Sequence, residues 1–389
     1  MCMCGLTPAQ KLSLGRVSSI LEPRKMGWTN HLLVVIEELQ ERFLGVTPKV
    51  FSLNEVACQS RGREQNEMSM TVKASDWHST MPWIDRPGAN IQAYVHALPP
   101  HERDWAEHYL TAWRRDGIVV FEKSVSDTMI DAILGDVDYL VRHHRDFELA
   151  VEVGGRQFPR ICEVEQSLLL QPGTKYNNLH TISHAVVAAS LNATVMRFLR
   201  HVFADQPLLM QTLTFFRGSQ QPVHVDYPYV RNQTQVAHIA ASWLALEDVS
   251  VDAGALAYWP GAHDVNKMGF YDWGGGSILM EADSSGTPDG LCDYLAARLD
   301  TLGLPKLVFA PRRGDVLLWH GSMPHEGTAI NDLNLTRKSL VSHFTSGGAY
   351  PQHFMKPDAV KQGHVTEANG GAYYHYNWLD NPRQLPSAP

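Results

Sequence analysis

The sequence predicts a mainly β domain with flanking helices, its strands arranged as a sandwich, jelly roll or barrel. Three observations point there. The apolar period changes from 3.6 to 2 after residue 207. Short apolar segments follow one another to about residue 345, punctuated at Gly218, Pro228, Pro260, Gly261, Pro311 and Gly314. Upstream of residue 207, apolar residues recur instead at helical spacing.

Composition sets the frame for these elements. The chain has 389 residues, 44% of them hydrophobic, enough to fill a real core. A net charge of −8 argues against a broad electrostatic grip on nucleic acid or anionic membrane. No apolar run approaches the roughly 20 residues that span a bilayer; the longest, His31 to Ile36, is far shorter. The cysteines (Cys2, Cys4, Cys58, Cys162, Cys292) are odd in number and scattered, which speaks against a disulfide framework and for a reducing, cytoplasmic setting.

Residues 1–75 read as an N-terminal extension, poorly ordered or upstream of a true start at Met68 or Met70. They hold one short helical pattern, Leu32 to Phe43. The helical part, 76–206, opens with Trp105, Tyr109, Ala112 and Trp113 on one face and stops at Asp116-Gly117. Ile118 to Phe121 reads as a buried strand. Ser126 or Asp127 caps a helix whose stripe is Ile130, Ile133, Leu134, Val137, Leu140 and Val141, and Ser183 caps a third that runs through Val195 to Leu199. In the β core, 207–345, the strand candidates are Leu209–Phe216, Val223–Asp226, Ala237–Leu246, Ala255–Trp259, Lys306–Phe309, Asp315–Trp319 and Lys338–Phe344. Residues 261–305 interrupt them with Gly274 to Gly276 and a helical stretch at Tyr294–Leu302. The tail, 346–389, carries Tyr373 to Trp378, too aromatic for a free linker, and is expected to pack on the domain.

The chemistry begins at His224-Val225-Asp226. On a strand, residues i and i+2 share a face, roughly 6.5–7 Å apart. An imidazole and a carboxylate so placed can supply two ligands of a two-histidine, one-carboxylate facial triad, which leaves three metal positions open. In a chain with 19 histidines an H-x-D also arises as an ordinary surface pair. About 100 residues on, the block Gly314 to Asn331 brings His320 and His325, followed by Arg337-Lys338-Ser339. Arg337 and Ser339 share a strand face, and a guanidinium beside a hydroxyl suits bidentate capture of a carboxylate. A metal with open positions near such a pair is the arrangement a 2-oxo diacid requires.

With these motifs in view, the sequence resembles the phytanoyl-CoA dioxygenase family of Fe(II)/2-oxoglutarate oxygenases over roughly residues 105–345. The resemblance rests on His224 to Asp226, Trp243 to Asp248, Gly254 to His263, Gly314 to Val316, Asn331 and Arg337, with Arg115 to Val120 as the opening phrase. It implies a double-stranded β-helix (jelly-roll, cupin-like) core, Fe(II), 2-oxoglutarate as co-substrate and O2 as oxidant. Carried over residue by residue, His224, Asp226 and His325 would bind iron and Arg337 would hold the 2-oxoglutarate carboxylate. Trp243 matches a tryptophan near the co-substrate in the human member. The family's small Gly/Ser phrase is here Glu326-Gly327-Thr328, so both Thr328 and Ser339 are candidates for the assisting hydroxyl. His320 closes an apolar strand and is expected to be structural; His325 follows the turn as in the family. His343 faces either the pocket or the core, with core packing the expectation, and His263 is structural or at the rim.

The implied reaction is hydroxylation of a C–H bond in a small-molecule metabolite, with release of succinate and CO2. Asp226 stands where related halogenases have Ala or Gly, which favours oxygenation. Tyr227, Tyr229 and Arg231 are candidate substrate contacts, with Trp259, Trp273 and Gly274 to Gly276 also at the rim. No extended basic groove favours a CoA thioester. A metal-dependent isomerase or lyase without 2-oxoglutarate, or a silent binding protein on the same scaffold, are the rivals.

Overall fold

The computed structural model describes residues 81–230, 238–269, 288–350, 365–375 and 383–387. The extension at 1–75, Arg231 and the loop around Trp273 to Gly276 lie outside the described residues.

The helical part follows the apolar spacing. Helix α1 is Ile91–His96 and α2 is Pro100–Asp116. Proline sits in the first turn of α2, where its missing N–H costs nothing. Gly117 ends α2 in the left-handed region at φ 71°. A Cβ there would also stand 2.4 Å from the His263 ring, so the position demands glycine twice over. Strand β1 (Ile118–Phe121) follows, then α3 (Asp127–Arg142), whose cap Ser126 accepts the Met129 N–H.

The expected third helix is two. Helix α4 (His184–Ser190) is capped by Ser183, and α5 (Ala193–Phe203) by Asn192. Asn192 causes the break: its Oδ1 accepts from Val195 N while its Nδ2 donates to the Ala189 carbonyl. The side chain thereby competes with the helical ladder. The apolar stripe continues across the break because Val186, Leu191, Val195 and Leu199 all enter one core.

The remaining strands are β2 (Val151–Val153), β3 (Arg156–Phe158), β4 (Lys175–Asn177), β5 (Pro207–Phe215), β6 (Ala240–Ala245), β7 (Leu256–Tyr258), β8 (Leu307–Phe309), β9 (Val316–His320), β10 (His325–Gly327), β11 (Ser339–Ser346), β12 (Val365–Ala368) and β13 (Gly371–Tyr374). Two helices, α6 (Val265–Met268) and α7 (Pro288–Leu302), lie between β7 and β8 in sequence. The main sheet runs β1-β9-β6-β11-β5-β4-β2-β3, and β10-β7-β8 form a smaller sheet. Pairing is antiparallel except where β13 joins β5 in parallel. The architecture is a jelly-roll, one of the three arrangements the strand pattern allows and the one the family resemblance implies.

The main sheet has two distinct faces, as period-2 side chains require. Leu340 and Phe344 of β11, Leu244 of β6 and Leu318 of β9 pack with the helices. Val341, Trp243, Leu317 and Trp319 point the other way and meet Leu256 and Tyr258 of the smaller sheet. That inner space holds the site. In the tail, Tyr373 is buried on β13, and Leu385 N donates to the Ile182 carbonyl at 2.8 Å.

One expected strand is absent. Val223–Asp226 makes a single bridge, His224 to His325, and then turns. The Tyr229 and Val230 N–H groups bond back to the Asp226 carbonyl, and Tyr227 N–H goes to Gly321. Prolines at 222 and 228 remove the donors a longer ladder would need.

Candidate metal centre

The bridge brings the two histidines together. His224 and His325 exchange backbone hydrogen bonds, each 2.9 Å, and their ring centroids lie 4.2 Å apart. Each Nδ1 meets a carbonyl two residues upstream: His224 at 2.8 Å from Pro222 O, and His325 at 2.9 Å from Met323 O. A carbonyl can only accept, so Nδ1 carries the proton in both rings and Nε2 keeps its lone pair.

Asp226 completes the group. Its Oδ1 stands 3.6 Å from His325 Nε2, while Oδ2 accepts the Trp319 indole N–H at 2.6 Å. One ligand atom from each of His224, Asp226 and His325 falls within 4.8 Å of the others, and all three residues are buried. Burial pushes the His224 imidazole down to about 3, and the neighbouring His325 adds to the effect. Burial alone would raise the Asp226 carboxyl, but His325, His343 and His224 around it outweigh that and hold it well below the usual carboxylate range. The group therefore pairs a neutral His224 imidazole with an anionic carboxylate at neutral pH.

Arg337 lies just before β11, with its backbone N–H on the Phe216 carbonyl. Only 2% of it is exposed, and its guanidinium carbon sits 5.4 Å from the Phe215 ring centroid and 5.7 Å from that of Trp243. Its Nε has no hydrogen-bond partner, and among the described residues no carboxylate forms an ion pair with it. Burial brings its pKa down to about 10. Ser339, also buried, has an unpartnered hydroxyl. Thr328 differs: its hydroxyl donates to the Ala255 carbonyl at 3.0 Å, and the residue lines a surface depression of about 260 Å³.

The other histidines separate cleanly. His320 Nε2 is 3.2 Å from Asp85 Oδ2, and its Nδ1 accepts the Ser322 N–H at 3.0 Å, a structural role as expected. His263 is buried beside it, ring centroids 5.3 Å apart. His343 departs from the expectation of core packing. It sits on the face of β11 that carries Ser339 and Val341, with Nε2 3.5 Å from Asp226 Oδ2, and neither ring nitrogen has a hydrogen-bond partner. At 3.5 Å the approach to Asp226 is longer than an ordinary N–H···O hydrogen bond.

The substrate-side candidates are spread out. Tyr227 is buried in an apolar cluster with Val223, Val225 and Trp259. Tyr229 is 44% exposed, its ring edge-on to His224 at 6.3 Å. Arg231 lies outside the described residues. Sequence reasoning missed Lys175, which pairs with Phe215 in the β4–β5 register and forms a 3.0 Å ion pair with Glu152. Its charge also depresses His224. Strands of three residues leave no readable alternation, so only the register reveals it.

Fold and site together define a jelly-roll domain with a buried His-Asp-His group between its sheets. The phytanoyl-CoA dioxygenase (PhyH) family model matches residues 113–333, more than half of the chain, and the chain belongs to that family. The phytanoyl-CoA dioxygenase domain-containing protein 1 of Bos taurus is 23% identical over 266 residues, covering 66% of this chain and 77% of the relative. Its homolog in Caenorhabditis briggsae is 23% identical over 172 residues, covering 43% and 56%. The chain thus spans little more than half the length of that nematode relative. Among solved structures, the non-heme α-ketoglutarate-dependent epimerase SnoN from nogalamycin biosynthesis is 16% identical, covering 61% of this chain and 81% of that one at a TM-score of 0.42. EctD from S. alaskensis with 2-oxoglutarate and 5-hydroxyectoine is 14% identical, covering 62% and 76% at a TM-score of 0.44. Among the described residues, no helix is long and apolar enough to cross a membrane.

Proposed function

We propose that this protein is an Fe(II)- and 2-oxoglutarate-dependent dioxygenase that hydroxylates a C–H bond of a small-molecule metabolite and releases succinate and CO2. The observation that carries the reading is Arg337. A guanidinium buried in an apolar setting without an acidic partner is costly, and such charges are normally paired. An anion that enters from outside the chain supplies the pair. The far carboxylate of a keto diacid fits, because a second anchor, the His-Asp-His group, lies on the same side of the main sheet: Trp243 beneath Arg337 and Trp319 bonded to Asp226 belong to one cluster.

The donor set fits ferrous iron. Two Nε2 lone pairs and one carboxylate oxygen make a facial triad with three positions left open. When bound, Fe(II) and 2-oxoglutarate supply the oxidation, coupling decarboxylation of the keto acid to activation of O2. The chain supplies the surroundings. Pro222 and Met323 carbonyls fix the imidazole tautomers, and Trp319 fixes the carboxylate. Arg337 orients the co-substrate, and Phe215 and Trp243 keep water from that charge pair. Ser339 is the better partner for the same carboxylate, since the Thr328 hydroxyl is already committed to Ala255. Tyr229 and Arg231 follow the metal group closely and are assigned to the substrate side. The buried Tyr227 acts as a wall.

Anaerobic titration tests the reading. Fe(II) added with 2-oxoglutarate is expected to produce a visible charge-transfer band. Asp226→Ala should abolish it, and Arg337→Ala should shift it to much higher 2-oxoglutarate concentration. Folded wild-type protein that gives no band overturns the proposal.

A further inference from the structure

We propose that His343 is a positioning residue for the metal carboxylate: with Trp319 it clamps Asp226 Oδ2, which leaves Oδ1 as the single oxygen offered to the metal. The inference rests on the iron site proposed above. It concerns a residue that belongs neither to the triad nor to the Arg337 pair.

The argument begins with hydrogen-bond supply. The His343 side chain is buried, yet neither of its ring nitrogens has a partner. An imidazole always carries at least one N–H donor, and a buried donor left unmade costs about 1–3 kcal/mol. His320, a structural histidine, avoids that cost by using both nitrogens, on Asp85 and on Ser322, and the buried His144 keeps its Nδ1 on the Val141 carbonyl. His343 is therefore poorly explained as a packing residue. The acceptor in reach is Asp226 Oδ2, 3.5 Å from Nε2. That oxygen already accepts the Trp319 indole N–H at 2.6 Å, and a carboxylate oxygen has two lone-pair sites. Oδ1 faces His325 Nε2 and the interior of the triad.

The scaffold makes the brace stiff. His343 lies on β11, held between β5 and β6 with Gln211 and Ala241 as its register partners. Trp319 lies on β9, which pairs with β6 on its far side. The two donors thus reach one oxygen from strands of the same sheet, two places apart. A small closure of the 3.5 Å approach turns contact into hydrogen bond. Drawing Oδ1 toward a cation and Oδ2 toward two N–H groups is mutually reinforcing, since hydrogen bonds around a ligating carboxylate orient it and sustain metal affinity.

Three variants separate this role from packing. Glutamine can present an amide N–H where Nε2 stands; asparagine reaches only to the Nδ1 position; leucine fills the space with no donor. Fe(II) affinity is measured anaerobically by competition with a chromogenic chelator, alongside the thermal midpoint of the metal-free protein and the Fe(II)–2-oxoglutarate band. His343→Gln is expected within about threefold of wild type, and His343→Asn and His343→Leu about 10–100-fold weaker with a displaced band. The metal-free midpoint of the leucine variant should not fall, because the substitution removes two unpartnered nitrogens. Wild-type Fe(II) affinity in both His343→Asn and His343→Leu overturns the clamp, as does equal loss in all three. Should the leucine variant not fold, the glutamine–asparagine contrast still decides. Wild-type protein that binds no Fe(II) refutes the iron site itself, a result distinct from any pattern among the variants.

Discussion

Two buried imidazole–carboxylate groups lie at either end of the turn that follows β9, and they use the same residue types for opposite ends. At Asp85, His320 and His263, the His320 ring spends both nitrogens on protein partners: Nε2 toward Asp85 and Nδ1 on the Ser322 N–H. At His224, Asp226 and His325, both rings spend Nδ1 on a carbonyl and keep Nε2 open. The difference is not composition, burial or strand neighbourhood. It is which nitrogen the backbone claims. A histidine whose lone pair is consumed is a strut, and one whose lone pair is preserved beside a carboxylate is free to serve as a metal ligand.

That contrast can be broken by substitution. The largest expected effect is on metal affinity. His325→Ala or Asp226→Ala should weaken Fe(II) binding by more than about a hundredfold, since each removes one of the proposed ligands rather than a group that orients a ligand, and chelator competition reads it directly. Asp85→Ala should leave Fe(II) affinity within about threefold yet cost roughly 1–3 kcal/mol of stability, because it strands the buried His320 N–H; denaturant unfolding measures this. If Asp85→Ala instead abolished metal binding without loss of stability, the distinction drawn here would be wrong.

Next in size is a pH effect to which one histidine of each group contributes, together with the buried His180 on Thr212 and His238 on Ser346. Burial holds His224 and His180 near pKa 3 and His263 and His238 near 4, against about 6.5 in the unfolded chain. As pH falls below about 6.5 the unfolded chain takes up protons that the folded one refuses, so stability declines toward pH 4. Each histidine adds up to roughly 1 kcal/mol per pH unit in that window. Unfolding curves at pH 7, 6 and 5 that coincide would contradict this.

The smallest expected effect sharpens the assignment of the hydroxyl. Ser339→Ala should weaken 2-oxoglutarate about tenfold, as loss of a hydrogen bond to a charged group does. Thr328→Val should leave it unchanged, because its hydroxyl already serves Ala255. Titration of the charge-transfer band distinguishes the two.

Much of the fold was legible because it follows local rules. The helix stop at Gly117, the cap at Ser126 and the strands flanking Trp243, Trp319 and Val341 emerge from period and punctuation. So did the shared face of Arg337 and Ser339. Other features depend on groups remote in sequence. His224 and Asp226 converge through a bridge and a turn rather than along a strand, because the prolines at 222 and 228 forbid the ladder. The split at Asn192 required seeing its amide bond in both directions. Strands β2 to β4 are too short to show alternation, and with them went Lys175. For His343 the parity along β11 allowed the pocket, but only Asp226, 117 positions upstream, decides it.

Strand β11 has a consequence of its own. Alternate residues on one side bring a hydroxyl and an imidazole to the chemistry, with Arg337 just ahead in the same phase, while Leu340, Ser342 and Phe344 between them pack against the helical layer. Losing or gaining one residue in this strand would invert every side chain beyond the change, sending residues such as Phe344 into the cavity and the working groups into grease. Point changes can adjust this ruler, but its length cannot drift, and new chemistry in such a protein has to be sought in the loops around it.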